Sequence, residues 1–247
     1  MTTRLDIDET AIFTALHTAL GRFGLVPSVV GAPVPIIRGQ ANRVPEPGQV
    51  DYLVMWSTRR DRLSTNVDAT LDDNVTGAFA GNVLTVSALS GPRPLVPGMS
   101  LYGDGVTPGC EIISQLSGAL GGVGTYAVLP TADSPAGQLW AGTLAVMQPM
   151  QMTIQLDIHG PASADNAVRV SSLMRDFYGV DAFRGTGVAP LYADDPHQIP
   201  FKNAEQQYEE RWVIDMCLQA NPTVTVGQQF ADKARVTPVL VDTFYPL

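Results

Sequence analysis

From Met150 to Tyr178 the chain reads MQMTIQLDIHGPASADNAVRVSSLMRDFY, which predicts a strand followed by a helix. The first ten residues alternate strictly between apolar and polar side chains, the period of a strand with one face on a core. Gly160-Pro161 ends this strand, Ser163 is a candidate N-cap, and apolar residues then recur at helical spacing up to Gly179, the candidate helix end. A helix packed on its own strand buries both apolar faces, so we expect the other elements to extend or cover this sheet.

The composition is that of an acidic, folded protein. The chain has 247 residues, 45% of them hydrophobic, and a net charge of −9. This length allows one or two cores, and the negative charge argues against a dedicated nucleic-acid-binding protein. No apolar run is long enough to span a membrane, and the N-terminus lacks the apolar core of a signal peptide, so we expect neither a membrane segment nor export by that route.

The two cysteines, Cys110 and Cys217, fall in segments of different character. We therefore expect small buried side chains instead of a disulfide, and assembly in a reducing cytoplasm.

Several elements outside the glycine-rich middle of the chain are also predicted. Acidic residues before Ile12 and Leu16 predict a first helix that ends at Gly21 or Gly24. A long alternating strand at 208–218 is the expected antiparallel partner of 150–159. The remaining predictions are a short edge strand at 34–37, a loop at 42–48, a central strand at 51–58, a polar loop at 190–200, and strands at 223–226 and 235–243.

Between residues 77 and 143 the composition changes. This segment holds more than half of the 23 glycines and only four charged residues, Arg93, Asp104, Glu111 and Asp133. Glycine and proline separate short apolar runs at 83–86, 99–102, 111–114 and 125–128, which predicts a small all-β domain. We interpret it as an insertion into a main domain formed by residues 1–76 and 144–247. The expected fold class is α+β: a mixed, mainly antiparallel sheet flanked by two helices, with the inserted all-β domain.

Catalytic and metal-binding patterns are weak. Asp157, His159 and Ser163 invite comparison with a hydrolase triad, but no serine lies in a nucleophile elbow, so a polar strand face and a helix cap are favoured. The three histidines, His17, His159 and His197, lack metal-ligand spacing, and Asp194-Asp195 is interpreted as a turn. Glycine clusters at 103–105 and 121–124 are interpreted as turns and not as phosphate loops. We expect no catalytic residue, cofactor or metal.

Two groups of residues are candidate interaction sites. Arg59, Arg60 and Arg62, with Arg38 and Arg43 upstream, concentrate positive charge and predict either a solvated loop or a loop facing a partner or DNA. The polar row of the first strand either faces solvent or lines the lumen of a ring through which DNA slides. This row consists of Gln151, Thr153, Gln155, Asp157 and His159.

The chain resembles the neck or tail-terminator proteins of tailed bacteriophages. The resemblance rests on the segments 3–9, 38–47, 157–166, 191–196 and 205–212, and covers roughly 1–75 and 148–247. The segment between them is similar to small β modules that decorate phage structural proteins. The family implies a non-catalytic virion protein with a tail-terminator-like α/β subunit, assembled into a ring, with six subunits expected. The ring would lie between the head connector and the tail tube, and DNA would pass through it.

A different function class stays open at this point. The β module could instead be a receptor- or carbohydrate-binding head, which would make the protein an adhesin on the tail surface. Exposed aromatic side chains would favour the adhesin, and the module offers only Phe79, Tyr102, Tyr126 and Trp140.

Overall fold

The computed structural model describes residues 3–39, 50–132, 134–202 and 208–230, which form a mainly β protein with three helices. The helices are α1 (Glu9–Gly21), α2 (Ser163–Met174) and α3 (Phe177–Ala182). The strands are β1 (Thr3–Leu5), β2 (Ile36–Arg38), β3 (Tyr52–Arg62), β4 (Val67–Ala80), β5 (Val83–Leu89), β6 (Ser100–Gly103), β7 (Glu111–Gly118), β8 (Gly124–Leu129), β9 (Ser134–Met147), β10 (Met150–His159), β11 (Val188–Ala193), β12 (His197–Gln198), β13 (Phe201–Lys202), β14 (Tyr208–Glu209), β15 (Arg211–Ala220) and β16 (Thr223–Gly227). The predicted loop at 42–48 and the predicted strand at 235–243 lie outside the described residues.

The described chain divides into two compact units, of which one comprises residues 5–68 and 146–224. Its sheet has the strand order β11-β15-β10-β3-β2, with β12 also paired to β15. Strand β10 runs antiparallel to both neighbours, and its register with β15 places Met150 opposite Ala220 and His159 opposite Arg211. The predicted pairing of the two alternating strands is confirmed.

Helices α1 and α2 supply apolar side chains to the core on one face of this sheet. The α1 prediction is confirmed: Asp8 caps the helix, its carboxylate accepting from the Ala11 amide at 2.7 Å, and the helix ends at Gly21. The buried core includes Leu16, Leu20, Leu53, Met152, Ile154, Leu156, Ile158, Val170, Ile214 and Met216. The alternating pattern of β10 therefore separates a dry face from a polar one, as expected for period two.

The predicted helix at 163–178 is wrong in its extent and its cap. Ala162 occupies the N-cap position without a side-chain bond, and its amide instead donates to Asp51 at 2.9 Å. The helix stops at Met174, and Asp176 caps a separate short helix by accepting from the Tyr178 amide. The Asp51 carboxylate, distant in sequence, thus accepts a hydrogen bond at the start of α2, where Ser163 was expected to act as the cap. The cap at Asp176 begins a separate helix and interrupts the apolar repeat.

The other unit comprises residues 1–4, 69–145 and 225–247. Its sheet has the order β1-β16-β9-β4-β5-β8-β7-β6, and β6 also pairs with β9, so six strands close on themselves. The four short runs predicted in the glycine-rich segment are confirmed as β5 to β8. Their buried side chains include Val75, Leu84, Val86, Leu101, Ile112, Tyr126 and Val128.

The expected α+β class with two flanking helices is wrong, because strands dominate and the described residues contain three helices. Two 14-residue strands, β4 and β9, were not predicted. Strand β4 carries Asp68, Asp72 and Asp73, which are poor strand formers, and only pairing across the sheet stabilises the extended conformation there. The predicted polar loop at 190–200 is likewise wrong, since it contains part of β11 and all of β12.

The insertion of 77–143 into a main domain stays a prediction. Strands β4 and β9 run across both of its proposed limits, residues 77 and 143. No helix among the described residues has the length and apolar character needed to cross a membrane.

Candidate functional site

The polar row of β10 divides into an accessible half and a buried half. Gln151, Thr153 and Gln155 are half-buried, whereas Asp157 and His159 are buried. The Gln151 amide donates to Cys217 Sγ at 3.3 Å, and Thr153 Oγ1 lies 3.6 Å from the same sulfur. This cysteine is buried and free, so its sulfur serves as a weak polar partner of the row.

Asp157 and His159, on β10, pair with side chains from β15 and β14. Arg211 Nη2 donates to Asp157 Oδ2 at 2.7 Å, and His159 Nδ1 lies 3.3 Å from Glu209 Oε1. The ring of Tyr52 stacks on the imidazole with a centroid distance of 4.4 Å. Burial lowers the pKa of His159, and this effect exceeds the opposing effect of the Glu209 and Asp157 carboxylates. The imidazole is therefore held neutral beside an ion pair.

This network does not have the hydrogen bonds of a hydrolase triad. Ser163 is fully buried, and its Oγ makes no hydrogen bond with any described residue. Nucleophilic catalysis needs the serine within hydrogen-bond reach of its base, and here Asp157 faces Arg211 while His159 Nδ1 faces Glu209. The structure therefore places Asp157 and His159 near each other on β10 with separate partners, and Ser163 Oγ makes no hydrogen bond to either of them.

The described residues contain no group of three or more histidine, cysteine or acidic side chains that could hold a metal ion. Asp195 pairs with Arg175 at 2.9 Å, and Asp194 donates its amide to the Asp215 carbonyl. The glycines at 103, 105, 121 and 124 have positive φ angles and lie in or beside turns of the β unit. The positive φ angles account for these glycines as turn residues. The ion pair of Asp195 and the backbone hydrogen bond of Asp194 account for the two aspartates.

The three arginines lie on strand β3, so their assignment to a loop is wrong, and they point to both faces of the sheet. Arg59 is opposite Thr153 on the polar face, whereas Arg60 and Arg62 are opposite Met152 and Met150 on the helix face. Directly opposed residues of an antiparallel pair share a face, so the group is not one continuous surface.

The partners of these arginines differ as well. Arg59 Nε lies 2.8 Å from Asp61, and Arg60 pairs with Glu9 at the start of α1. Glu9 also receives Arg38 at 2.7 Å, while Arg62 is exposed and has no ion pair with a described residue. Within the described chain, Arg62 is therefore the arginine of this group left for an external partner. Arg43 lies outside the described residues.

A second candidate surface was missed by sequence reasoning: the turn of the β7–β8 hairpin, residues 116–123, called here the hairpin tip. It exposes Leu116, Leu120 and Val123, and Leu120 is 96% exposed. The strand register skips Ile113 and Leu116, which makes each the extra residue of a bulge, and both are exposed. The available sequence signal was the absence of any charged residue between 112 and 132.

The hairpin tip is held in place by side chains behind it. Gln115 Nε2 donates to the carbonyls of Ser117 and Ala119 at 3.1 and 2.6 Å, and its Oε1 accepts from the Gly121 amide at 2.9 Å. The Leu95 amide donates to the Gly121 carbonyl at 2.8 Å. The Tyr126 hydroxyl donates to the Gly122 carbonyl. These bonds fix the turn that carries Leu120.

A cleft of about 460 Å³ lies between α3 and β11 in the other unit. Its lining combines apolar side chains with a few polar groups and the glycines that follow α3. The lining residues are Val180, Phe183, Arg184, Gly185, Gly187, Val188, Ala189, Pro190, Gln219 and Asn221. The cleft is bordered by β11, an edge strand of its described sheet, and edge strands are accessible to partners. Leu191 and Tyr192 are exposed on the same strand but lie outside the cleft lining.

Comparison with known proteins relates the C-terminal part of the chain to one protein family. Residues 122–241 match the model of a family described as phage neck terminator protein, and the match supports the assignment of this chain to the tail-terminator family. Among curated proteins, none matches the chain. The family supports a structural role in the phage neck, location in the virion neck or tail, and interaction with other neck or tail proteins.

The matched residues begin inside the glycine-rich segment and include the last two residues of the hairpin tip, the polar row and the cleft. The arginines of β3 lie outside the match.

Proposed function

We propose that this chain forms a closed homo-oligomeric ring, with six subunits expected, between the head connector and the tail tube of a tailed phage. The observation that carries the proposal is the match of residues 122–241 to phage neck terminator proteins. In this role the protein is a tail terminator or head-tail joining protein that works by binding and not by catalysis. It assembles in the host cytoplasm, contacts the connector on one side and the tube on the other, and needs no cofactor.

A ring of acidic subunits must overcome repulsion between copies that each carry a charge of −9. Opposite charges at the contacts between subunits or rings reduce that repulsion, and Arg59, Arg60 and Arg62 are the candidate group. Arg62 is the strongest member, because Arg60 is occupied by Glu9 and Arg59 by Asp61. An acidic surface of a neighbouring subunit or ring is the expected partner, ahead of DNA phosphate.

The passage of DNA through the ring requires a lumen without strong attraction for phosphate. The row Gln151, Thr153, Gln155, Asp157 and His159 remains the candidate lining. Burial and pairing restrict the accessible part to the first three, which are uncharged and bind the backbone weakly. Asp157 and His159 would then support the lining from within the sheet.

The alternative function as a tail-surface adhesin receives no support from the β unit. Phe79, Tyr102 and Tyr126 are buried, and Trp140 is half-buried and stacks on Tyr102 at 6.1 Å. A carbohydrate platform needs aromatic faces open to solvent, and these four rings serve the core instead.

Electron microscopy tests the ring. The purified chain, alone and mixed with the connector and tube proteins, should show closed rings, and antibody labelling of virions should mark the neck. A chain that stays monomeric in every mixture, or labelling restricted to the tail surface, would reject the proposal.

A further inference from the structure

We propose that the hairpin tip of one copy inserts Leu120 into the cleft between α3 and β11 of the next copy. The proposal rests on the proposed ring and specifies its subunit contact. It assigns a role to two features that the family match leaves unexplained: an apolar apex on a fixed turn, and an open cleft with a partly apolar lining.

The hairpin tip presents apolar side chains on a fixed turn. A leucine at 96% exposure leaves its whole side chain in water, and its burial against apolar atoms is favourable. Turns are ordinarily polar, yet this one carries Leu116, Leu120 and Val123. Gln115, Tyr126 and Leu95 hold its backbone by hydrogen bonds, so little conformational entropy remains to be lost on docking. The tip therefore has the properties of a preorganised apolar anchor.

The expected partner of the hairpin tip is the cleft of a second copy. Residues 112–132 carry no charge in a chain of net charge −9, so this is a surface on which two copies can meet with little local repulsion. The cleft is lined by the exposed side chain of Val180 and the half-buried Pro190, while Phe183 and Val188 in its lining are buried. Its volume of about 460 Å³ admits Leu120 with a neighbour such as Val123. Both partners of the contact are thus present on a single chain.

The symmetry of the contact distinguishes a ring from a dimer. The tip and the cleft are different surfaces, so a contact between them is heterologous, and a repeated heterologous contact either closes into a ring or extends into a filament. A ring is what the proposed function requires. Contact between two tips would instead be isologous and would stop at a dimer.

A charge placed at the apex tests the anchor. Leu120→Glu removes no contact within the chain, so the fold should persist while self-association weakens roughly 10- to 100-fold. Val30→Glu is the matched control, because Val30 is 99% exposed on the other unit and receives the same charge. Gln115→Ala, which frees the turn but keeps Leu120, should weaken association less. Light scattering across a concentration series measures all three, and unchanged association of Leu120→Glu would overturn the proposal.

Cysteine crosslinking tests the cleft. Cys110 and Cys217 are buried, so the parent should give no crosslink under oxidation. An equal mixture of Leu120→Cys and Ala189→Cys proteins should give a mixed disulfide dimer, and each variant alone should give none. Dimers of Leu120→Cys alone would show tip-to-tip contact and overturn the proposal. Loss of connector or tube binding by Leu120→Glu, without the mixed dimer, would place the tip on another neck protein and also overturn it.

These outcomes separate the contact from the ring. Closed rings formed equally well by Leu120→Glu would leave the proposed function standing and reject the tip–cleft contact. A mixed dimer without closed rings in any mixture would support the contact and reject ring closure. Absence of both would reject both.

Discussion

At the scale of single residues, Asp51 joins three segments that are distant in sequence. Its carboxylate accepts from the amide and the hydroxyl of Ser28, and from the amide of Ala162 that begins α2. Burial would raise the pKa of Asp51, but these hydrogen bonds outweigh it and hold the pKa below its usual value. The side chain therefore acts as a charged acceptor for donors that would otherwise be left unbonded.

We predict that Asp51→Ala lowers the free energy of unfolding by about 2 kcal/mol, because the donors of Ser28 and Ala162 lose a charged acceptor. Asp68→Ala is the control, since Asp68 is exposed. Denaturant unfolding measures both. The contribution of Asp51 is present above the unfolded pKa near 3.8 and is lost as the pH falls through the lower folded value. Equal stability of the two variants at neutral pH would contradict the role of Asp51.

His159 makes a second prediction at this scale. Its pKa in the folded chain lies below the ordinary value of 6.5, so the unfolded chain binds the proton more readily. The contribution of neutral His159 to the free energy of unfolding should therefore be fully present above about pH 6.5 and decrease as the pH drops below that value. Between about pH 7.5 and 5.5, the parent should lose more of its melting temperature than His159→Asn, which cannot titrate at this site. A parent that becomes more stable on acidification would mean that the imidazolium pairs with Glu209.

At the scale of elements, β3 shows why three neighbouring arginines do not act as one group. The bulge opposite Thr153 and Ile154 sets the register, and the strand then alternates Arg59 to one face and Arg60 and Arg62 to the other. The pairs that Arg38 and Arg60 make with Glu9 tie β2 and β3 to α1. Such half-exposed pairs contribute on the order of 0–1 kcal/mol each, so their use here is local orientation.

We predict that Arg62→Glu impairs ring assembly at low salt more than Arg59→Glu does. The reason is that Arg62 has no ion pair with a described residue, whereas Arg59 is paired with Asp61. Assembly is measured by light scattering over a salt series, with circular dichroism as the control for folding. Added salt should reduce the difference, since it screens exposed charges. If Arg62→Glu assembled as well as the parent, Arg62 would be a solvated residue and not part of an interface.

At the scale of the whole molecule, the segment from β4 to β9 leaves the helix-covered sheet after β3 and rejoins it at β10. It can be removed at more than one pair of positions. The Leu63 amide donates to the Pro149 carbonyl at 2.9 Å, and Arg62 pairs with Met150, so β3 and β10 approach each other where the β4–β9 segment leaves them. A short linker can join them there as in a hairpin, because the cost of loop closure changes slowly with length.

We predict that replacing residues 69–145 by a short Gly-Ser linker leaves the helix-covered sheet folded. Replacing 77–143 should give a less stable protein, because it leaves pieces of β4 and β9 without their partner strands. Circular dichroism and thermal melting distinguish the two. An unfolded remainder in both variants would show that the glycine-rich segment is part of one cooperative core and would reject the inserted-domain interpretation.

Elements with strong local signals could be predicted from the sequence. The α1 helix has an acidic N-cap and an apolar repeat, and β10 and β15 have ten-residue polar and apolar alternation. Four strands of the β unit follow from apolar runs between glycines. Elements without such signals were missed: β4 is rich in aspartate, β11 contains Pro190, and the break between α2 and α3 depends on Asp176.

The candidate surfaces, like the elements, could be predicted from the sequence only in part. The polar row, the arginines and the uncharged stretch could all be read from the sequence, but not which of their side chains are buried or already paired. Burial of Asp157 and His159, the pairing of Arg60 with Glu9, and the exposure of Leu120 depend on strand register and on a turn held by Gln115.

The sequence by itself therefore determined the alternating sheet, its first helix, the short strands of the glycine-rich segment and the resemblance to phage neck proteins. The predicted helix and strands rest on periodicity and on residue type, which act between neighbours along the chain, whereas the resemblance rests on particular sequence segments. Only the tertiary structure decided the mainly β class, the two faces of the arginine strand and the hairpin tip. Each of these depends on hydrogen bonds and register between segments far apart in sequence, and such pairing is not encoded in any single segment.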